Sequence, residues 1–339
     1  MKTFACAAAV LSFGLALSAR AEEPAGPKEG ALNTYLNREP TDTAGQLALM
    51  QQGQFALQSD TTVALFFLQY GSRVRLERTY FPATTSDHEM VPCYVFTSAA
   101  VDKSVRRPGL VVVHGGFHEK LDWRFFRLIV EAVEHGYAVI FPEYRGSSGY
   151  GETIYTNTYG VTDVADVLAA ADYLAKKDFV DPARLGIVGH SRGGMATLLA
   201  IEKAPKRFQA AVDLAGLADF LAYMAYKPEA RRQEVAKEKH FGGRMPGENL
   251  PAYMEISPIL HTDSIETPLL VLATTGDKIV PFALHSERLI DALKARGKVF
   301  DSHIYDNAPG GHVWIFGDSP ETTDAFRRTF EWLGKYLHP

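Results

Sequence analysis

Two cysteines in 339 residues leave little from which to build a disulfide framework. Cys6 sits inside an apolar N-terminal run, and once that run is removed Cys93 stands alone, so no intrachain disulfide can form. Within Val91-Pro92-Cys93-Tyr94-Val95-Phe96, Cys93 reads as a small core residue and not a reactive thiol. Long apolar stretches are equally scarce: the run from Phe4 to Leu17 falls short of the ~20 residues a spanning helix needs. Positive charge is in deficit, with 35 Lys and Arg against 40 Asp and Glu and a net charge of −5. No basic stretch is interleaved with aromatics, which excludes the electrostatic footprint of a nucleic-acid binder. Internal repeats and long low-complexity runs are absent as well.

What is present at the N-terminus is a targeting pattern. Lys2 precedes the apolar run, which closes in Ala19-Arg20-Ala21, so residues 1–21 are expected to be a signal peptide cleaved near Ala21. The mature chain would be exported, periplasmic or secreted, without a stable membrane anchor. Loss of Lys2 and Arg20 leaves 33 basic and 40 acidic residues, a net charge of −7. Residues 22–73 read as a leader and extension, loose from Glu22 to Gly30. Gln46–Leu57 fits a helix, whereas Val63–Tyr70 fits either a helix or a buried strand.

From residue 74 to 339 the pattern is that of one large domain. Alternation marks a strand at Val74, followed by a second around Tyr94–Phe96, with Pro92 at a sheet edge or at that strand's start. Apolar strands and amphipathic helices then alternate: Leu110–Val113, a helix near Leu121–Glu134, Ala138–Phe141, a helix near Asp163–Lys176, Leu185–Val188 and a helix from Gly194. The order continues with Ala210–Leu214, an interrupted region, Leu269–Ala273, a helix near Phe282–Ala295, Phe300–Tyr305 and a last helix. Such an order specifies the α/β class, with a mostly parallel twisted sheet covered by helices on both faces. Chemistry on such a sheet belongs in the loops at the strands' carboxyl ends. Residues 217–256, carrying Phe220, Tyr223, Met224, Tyr226, Phe241 and Met245, read as a small cap over a pocket or as ordinary helices packing that edge.

The run Leu185-Gly186-Ile187-Val188-Gly189-His190-Ser191-Arg192-Gly193-Gly194 reads as a nucleophile elbow, a sharp strand-to-helix turn that presents Ser191 because Gly189 and Gly193 leave room for it. Serine is a weak nucleophile at neutral pH and needs a base, which in turn needs an orienting acid. Of the 11 histidines, His312 follows a strand in the glycine-bearing loop Asn307-Ala308-Pro309-Gly310-Gly311, with His285 as the rival. Asp277 follows Leu269–Ala273 through Thr274-Thr275-Gly276, with Asp301 and Asp306 as rivals. The turn His114-Gly115-Gly116-Phe117 offers backbone N–H groups for an oxyanion, with the N–H of Arg192 as the second donor. Phe117, Tyr223 and Trp314 are the candidate pocket residues, although Trp314 could equally pack beneath the His312 loop. His114 and His118 straddle a glycine turn with no third ligand spaced to help, so no metal site is read here.

Several segments together resemble the catalytic domain of the prolyl-oligopeptidase (S9) group of serine hydrolases. They are His114-Gly115-Gly116, Tyr144-Arg145-Gly146-Ser147-Ser148-Gly149-Tyr150-Gly151, Asp181-Pro182-Ala183-Arg184, the elbow, Ser257-Pro258-Ile259, Asp277-Lys278-Ile279-Val280-Pro281 and Gly311-His312, spanning residues about 74 to 337. The resemblance implies an α/β-hydrolase fold, a triad of Ser191, Asp277 and His312, oxyanion donors at Gly116 and Arg192, and neither metal nor cofactor. Arg192 stands where that group often has tyrosine, and the propeller of many such peptidases does not fit into residues 22–73. The leading expectation is therefore an exported serine hydrolase cleaving carboxylic ester (or amide) bonds through an acyl-enzyme on Ser191. It tilts slightly toward a small-molecule ester, by the lack of that propeller and of evident paired glutamates for a peptide amino terminus. The alternatives are a serine peptidase of this group acting on short peptides, and a non-catalytic binding protein on the same fold.

Overall fold

The computed structural model describes residues 43–85, 89–100, 102 and 104–339, with the backbone alone for 43–53, 55 and 56. The expected signal peptide and residues 22–42 of the leader lie outside the described residues. Contact density divides the chain between Leu49 and Met50, within helix α1 (Thr43–Tyr70). Of the first unit only the opening turns of α1 are described; the second unit, Met50–Pro339, holds the sheet and every other described element.

Eight strands form one sheet: β1 (Val74–Pro82), β2 (Met90–Ser98), β3 (Arg107–Val113), β4 (Ala138–Pro142), β5 (Val180–His190), β6 (Ala210–Leu214), β7 (Leu269–Thr274) and β8 (Phe300–Tyr305). Their order is β1-β2-β4-β3-β5-β6-β7-β8. β2 runs antiparallel to both neighbours, and every pairing from β4 to β8 is parallel. Pro92 lies near the start of β2, just ahead of the pairing with β4 that begins at Cys93, so its missing N–H costs that ladder nothing. The helices after α1 are α2 (Phe126–Glu134), α3 (Glu152–Tyr155), α4 (Thr162–Ala175), α5 (Arg192–Lys203), α6 (Phe220–Tyr226), α7 (Glu229–Ala236), α8 (Leu250–Glu255), α9 (Ser286–Ala295) and α10 (Pro320–Leu337).

The central strand β3 is apolar on both faces because both are covered. Leu110 and Val112 enter a layer with Phe126 and Ile129 of α2 and Leu333 of α10. Val111 and Val113 enter the opposite layer with Val164 and Val167 of α4 and Leu198 of α5. Boundaries follow local capping. The Asp122 carboxylate accepts the Arg124 N–H and starts a 3-10 turn, Trp123–Phe125, which delays α2 to Phe126. A second 3-10 turn, Phe282–Leu284, together with the non-helical His285, delays α9 to Ser286.

Val63–Tyr70 resolves as the last turns of α1. Phe66 is fully buried, its ring 5.1 Å from both Phe96 of β2 and Phe126 of α2, whereas Leu68 is 83% exposed. The end of α1 is thus packed into the same body as the sheet. Residues 217–256 form α6 to α8, where the rings of Phe220, Phe241 and Tyr253 stack, Phe241 on Tyr253 at 4.2 Å. Among the described residues no helix is long and apolar enough to cross a membrane.

Truncation of Phe66 to Ala is expected to cost about 3–5 kcal/mol, the range for buried aromatics, while Leu68→Ala stays within about 0.5 kcal/mol. Urea unfolding of the two variants checks this; equal, small losses would mean that α1 is not part of the core.

Candidate active site

Ser191 closes β5 and opens α5 with φ 59° and ψ −121°, a left-handed backbone that a residue with a Cβ adopts only where its surroundings enforce it. The enforcement is steric. A Cβ on Gly189 would collide with the carbonyl of Gly193, and one on Gly193 with the carbonyl of Val113, so the elbow sits directly against the end of β3. The Ser191 N–H donates to Leu214 O at 2.9 Å, which ties the turn to β6. The first N–H groups of α5, beginning with Arg192, have no preceding helical turn to bond.

Three loops meet at this corner. His312 Nε2 lies 2.8 Å from Ser191 Oγ, and His312 Nδ1 lies 2.6 Å from Asp277 Oδ2. With a carboxylate as its partner Nδ1 carries the proton, which leaves Nε2 to accept the serine hydroxyl. The other carboxylate oxygen of Asp277 accepts the N–H groups of Ile279 and Val280, both at 2.8 Å, so the acid is fixed from two sides. The loops of Asp277 and His312 are joined to each other: Thr274 Oγ1 accepts the Ala308 N–H and Thr275 Oγ1 the Asn307 N–H. Gly310 and Gly311, at φ 92° and 54°, turn the chain back toward the sheet before His312.

The rivals have other places. His285 is buried between Tyr226 OH, 3.1 Å from its Nε2, and the N–H of Asp219, and burial pulls its pKa down to about 4. Asp301 is exposed on β8, and Asp306 is exposed and accepts from Thr275 Oγ1. Phe117 and Tyr223 are brought together, with ring centroids 6.3 Å apart, and Phe117 also stacks on Tyr159 at 4.8 Å. Trp314 corrects the pocket assignment. It is 1% exposed and packs on Tyr305 at 4.7 Å in the layer facing α2 and α10, because the 3-10 turn Gly311–Phe316 folds it under the loop.

The glycine turn after β3 lies against the elbow: a Cβ on Gly115 would come within 3.1 Å of Ser191 Cβ. Gly116 has φ 73°. This turn is braced by residues that the quoted segments contain but to which the sequence assigned no role. The imidazole of His114 stacks on Tyr144 at 4.2 Å, its Nδ1 donates to Gly115 O and its Nε2 accepts from Ser147 Oγ. Burial pulls its pKa down to about 3, so it stays neutral. The loop after β4 that supplies Tyr144 and Ser147 is anchored by a buried pair, Arg145 with Asp166 at 2.6 Å. His118 hydrogen-bonds Gly146 O and faces Glu238, so its ring serves as a tether in place of a metal ligand. No cluster of three metal-ligating side chains occurs among the described residues.

Arg192 contributes a side chain as well as a backbone. Its guanidinium is 1% exposed, is ion-paired with Asp163 and lies over the rings of Tyr159 and Tyr144, while Nη1 donates to Gly116 O at 3.4 Å. It therefore links the elbow, the glycine turn and α4. His190 donates from Nε2 to His312 O at 2.9 Å and holds the base's own backbone, and burial again pulls its pKa down to about 3. The signal that could have found His190 and Arg192 is their position: polar side chains flanking the nucleophile at the end of a strand that is buried from Leu185 to His190.

A serine, a histidine and an aspartate in one hydrogen-bonded chain at the carboxyl edge of a mostly parallel sheet define a serine hydrolase on the α/β-hydrolase fold. More narrowly, the sequence profile of the prolyl oligopeptidase family matches residues 123–339, and the chain belongs to that family. It is 29% identical over 259 residues to an acylamino-acid-releasing enzyme of Arabidopsis thaliana, across 72% of this chain and 32% of that protein. It is 27% identical over 278 residues to dipeptidyl-peptidase 5 of Porphyromonas endodontalis, across 78% of this chain and 38% of that protein. Among solved structures, a puromycin-hydrolyzing peptidase of Mycobacterium tuberculosis superposes with a TM-score of 0.66 at 28% identity, covering 78% of this chain and 39% of that one. The chain thus spans about a third of the length of the curated relatives it matches.

Beneath the glycine turn lies a buried acid. Glu143 is fully buried at the end of β4, Oε1 accepts the Leu121 N–H at 2.9 Å, and burial pushes its pKa up to about 8 despite that bond and the nearby Lys120. The folded chain therefore keeps a proton that an unfolded glutamate, near about 4.3, has already released, and stability falls as pH rises between those values. Glu143→Gln removes this term and keeps an acceptor for Leu121. From pH 5 to pH 8 the variant is expected to gain at least about 1 kcal/mol relative to the parent in denaturant titrations; a difference independent of pH would contradict the assignment.

Proposed function

We propose that this chain is a serine peptidase that hydrolyses short peptides through an acyl-enzyme on Ser191. The observation that carries the reading is the hydrogen-bonded line from Asp277 through His312 to Ser191. Ser191 Oγ attacks the scissile carbonyl carbon while His312 Nε2 takes the hydroxyl proton. The backbone N–H groups of Gly116 and Arg192 receive the charge that develops on the carbonyl oxygen, each such donor being worth about 3 kcal/mol of barrier. As the tetrahedral intermediate collapses, Nε2–H protonates the departing amine, and Asp277 stabilises the imidazolium in between. Water then enters, gives its proton to His312 and attacks the acyl carbon, and the proton returns to Ser191 as the acid leaves.

The sequence alone tilts toward a carboxylic ester. Membership in the prolyl oligopeptidase family and the names of the relatives, a dipeptidyl-peptidase and a puromycin-hydrolyzing peptidase among them, favour the peptide amide instead. In this reading Phe117, which follows the glycine turn, and Tyr223, whose ring lies 6.3 Å from it, receive the acyl half. Export with cleavage near Ala21 remains part of the proposal, resting on the pattern of residues 1–21.

A panel of aminoacyl and N-acyl-aminoacyl anilides, di- to tetrapeptides and simple carboxylic esters tests the substrate class. Turnover of peptide amides is expected, with Ser191→Ala or His312→Ala lowering kcat by at least about 10⁴. Hydrolysis of simple esters with no peptide amide cleaved would overturn the peptidase reading, and a loss below about tenfold in either variant would overturn the triad. Intact-mass measurement of the protein recovered outside the cytoplasm should place its first residue at Glu22; a chain retaining Met1 would contradict export by cleavage.

A further inference from the structure

The mouth of the site carries more positive charge than its own carboxylates match. Lys227, at the end of α6, donates to Ile279 O at 2.9 Å, and the amide of Ile279 holds Asp277 Oδ1. The Lys227 ammonium also lies over the rings of Tyr223 and Tyr226, 4.7 and 4.9 Å from their centroids. Four residues on, the Arg231 guanidinium lies 4.1 Å from the centroid of Phe117, next to Gly116. The two cations thus reach from the Asp277 loop to the glycine turn, the two loops that flank Ser191 and His312.

The charges around them are few. Arg231 pairs with Glu234 at 2.6 Å, but that carboxylate is 62% exposed and well screened. Glu229 is paired with Arg232, Asp163 with Arg192, and Asp277 is taken up by His312 and two N–H groups. Among the described residues no carboxylate lies within salt-bridge distance of Lys227, whose hydrogen bond goes to a neutral carbonyl; Arg231 repels it and the more distant Asp277 attracts it. Partial burial and repulsion from Arg231 accordingly pull its pKa down. Two half-buried cations over neighbouring aromatic rings, one of them without a salt-bridge partner, have the charge and the desolvation that favour binding of an anion.

We propose that Lys227 and Arg231 bind a carboxylate on the acyl half of the substrate, so that the residue contributing the scissile carbonyl is preferentially Glu or Asp. The acyl half is specified by Phe117, which adjoins the turn assigned to the carbonyl oxygen and carries Arg231 on its face. This assignment rests on the serine peptidase reading and refines it.

The test compares N-acetyl-glycyl-Glu and N-acetyl-glycyl-Gln anilides, alike in size and differing in charge. For the parent enzyme kcat/KM is expected to favour Glu by about tenfold or more, a charge-assisted contact's worth, and the ratio to fall toward one in Lys227→Met and Arg231→Met and with rising salt. Independently of turnover, Ser191→Ala should bind N-acetyl-Glu-amide about fivefold or more tighter than N-acetyl-Gln-amide in calorimetry, and Lys227→Met added to it should erase the difference. Equal handling of Glu and Gln in both measurements overturns the proposal. So does a preference that follows a free C-terminal carboxylate on the leaving half, read by comparing Gly-Gln-Gly with its C-terminal amide. Absence of any Ser191-dependent turnover would instead defeat the peptidase reading, and the calorimetric difference would still decide the subsite.

Discussion

The site depends on how closely the turn at Ser191 approaches the end of β3. A left-handed serine backbone is tolerated because Gly189 and Gly193 let β5, α5 and the carbonyl of Val113 come together without a Cβ between them. That contact sets the hydroxyl at the sheet's edge and, in the same stroke, sets its distance from the glycine turn that follows β3. The bonds of His312 and Asp277 are laid on this frame: their loops leave β8 and β7, neighbouring parallel strands, and are cross-linked through Thr274 and Thr275. A parallel sheet delivers all these loops to one edge, which is how His312 comes to share a proton path with residues 35 and 121 positions away.

Around the frame the protein favours neutral groups. His114 and His190 are buried and hold no charge near neutral pH, so each can fix a backbone carbonyl without adding a field of its own. Besides the Asp277 carboxylate, Arg192 is a charge buried beside the nucleophile, and it is matched by Asp163 and cushioned by aromatic rings. Both arrangements serve positioning: His190 holds the base and Arg192 the glycine turn. Lys227, beside the Asp277 loop, has no salt-bridge partner among the described residues.

Much of this architecture is legible in the sequence because it is local. The apolar runs of β3 to β8, the glycines around Ser191 and the glycines before His312 each encode a short-range requirement. What is not legible depends on tertiary packing. Val63–Tyr70 can be assigned to α1 only once Phe66 has found Phe96 and Phe126. Trp314 stands two residues from His312, yet a 3-10 turn sends it into the opposite layer. The late starts of α2 and α9 follow from short turns whose capping is not periodic. The roles of His190, Tyr144 and the Arg192 side chain follow from contacts across the fold that no spacing rule contains. Likewise, the tilt toward esters comes from an absence in the chain, and family membership counts against it.

The central claim is that one serine hydroxyl, activated by one imidazole, carries the chemistry. Its most direct test is peptide mapping by mass spectrometry after brief exposure of the folded protein to a fluorophosphonate. A single stoichiometric adduct on Ser191, lost from His312→Ala, is the predicted result. Modification at another residue, or none on the native chain, would contradict the account.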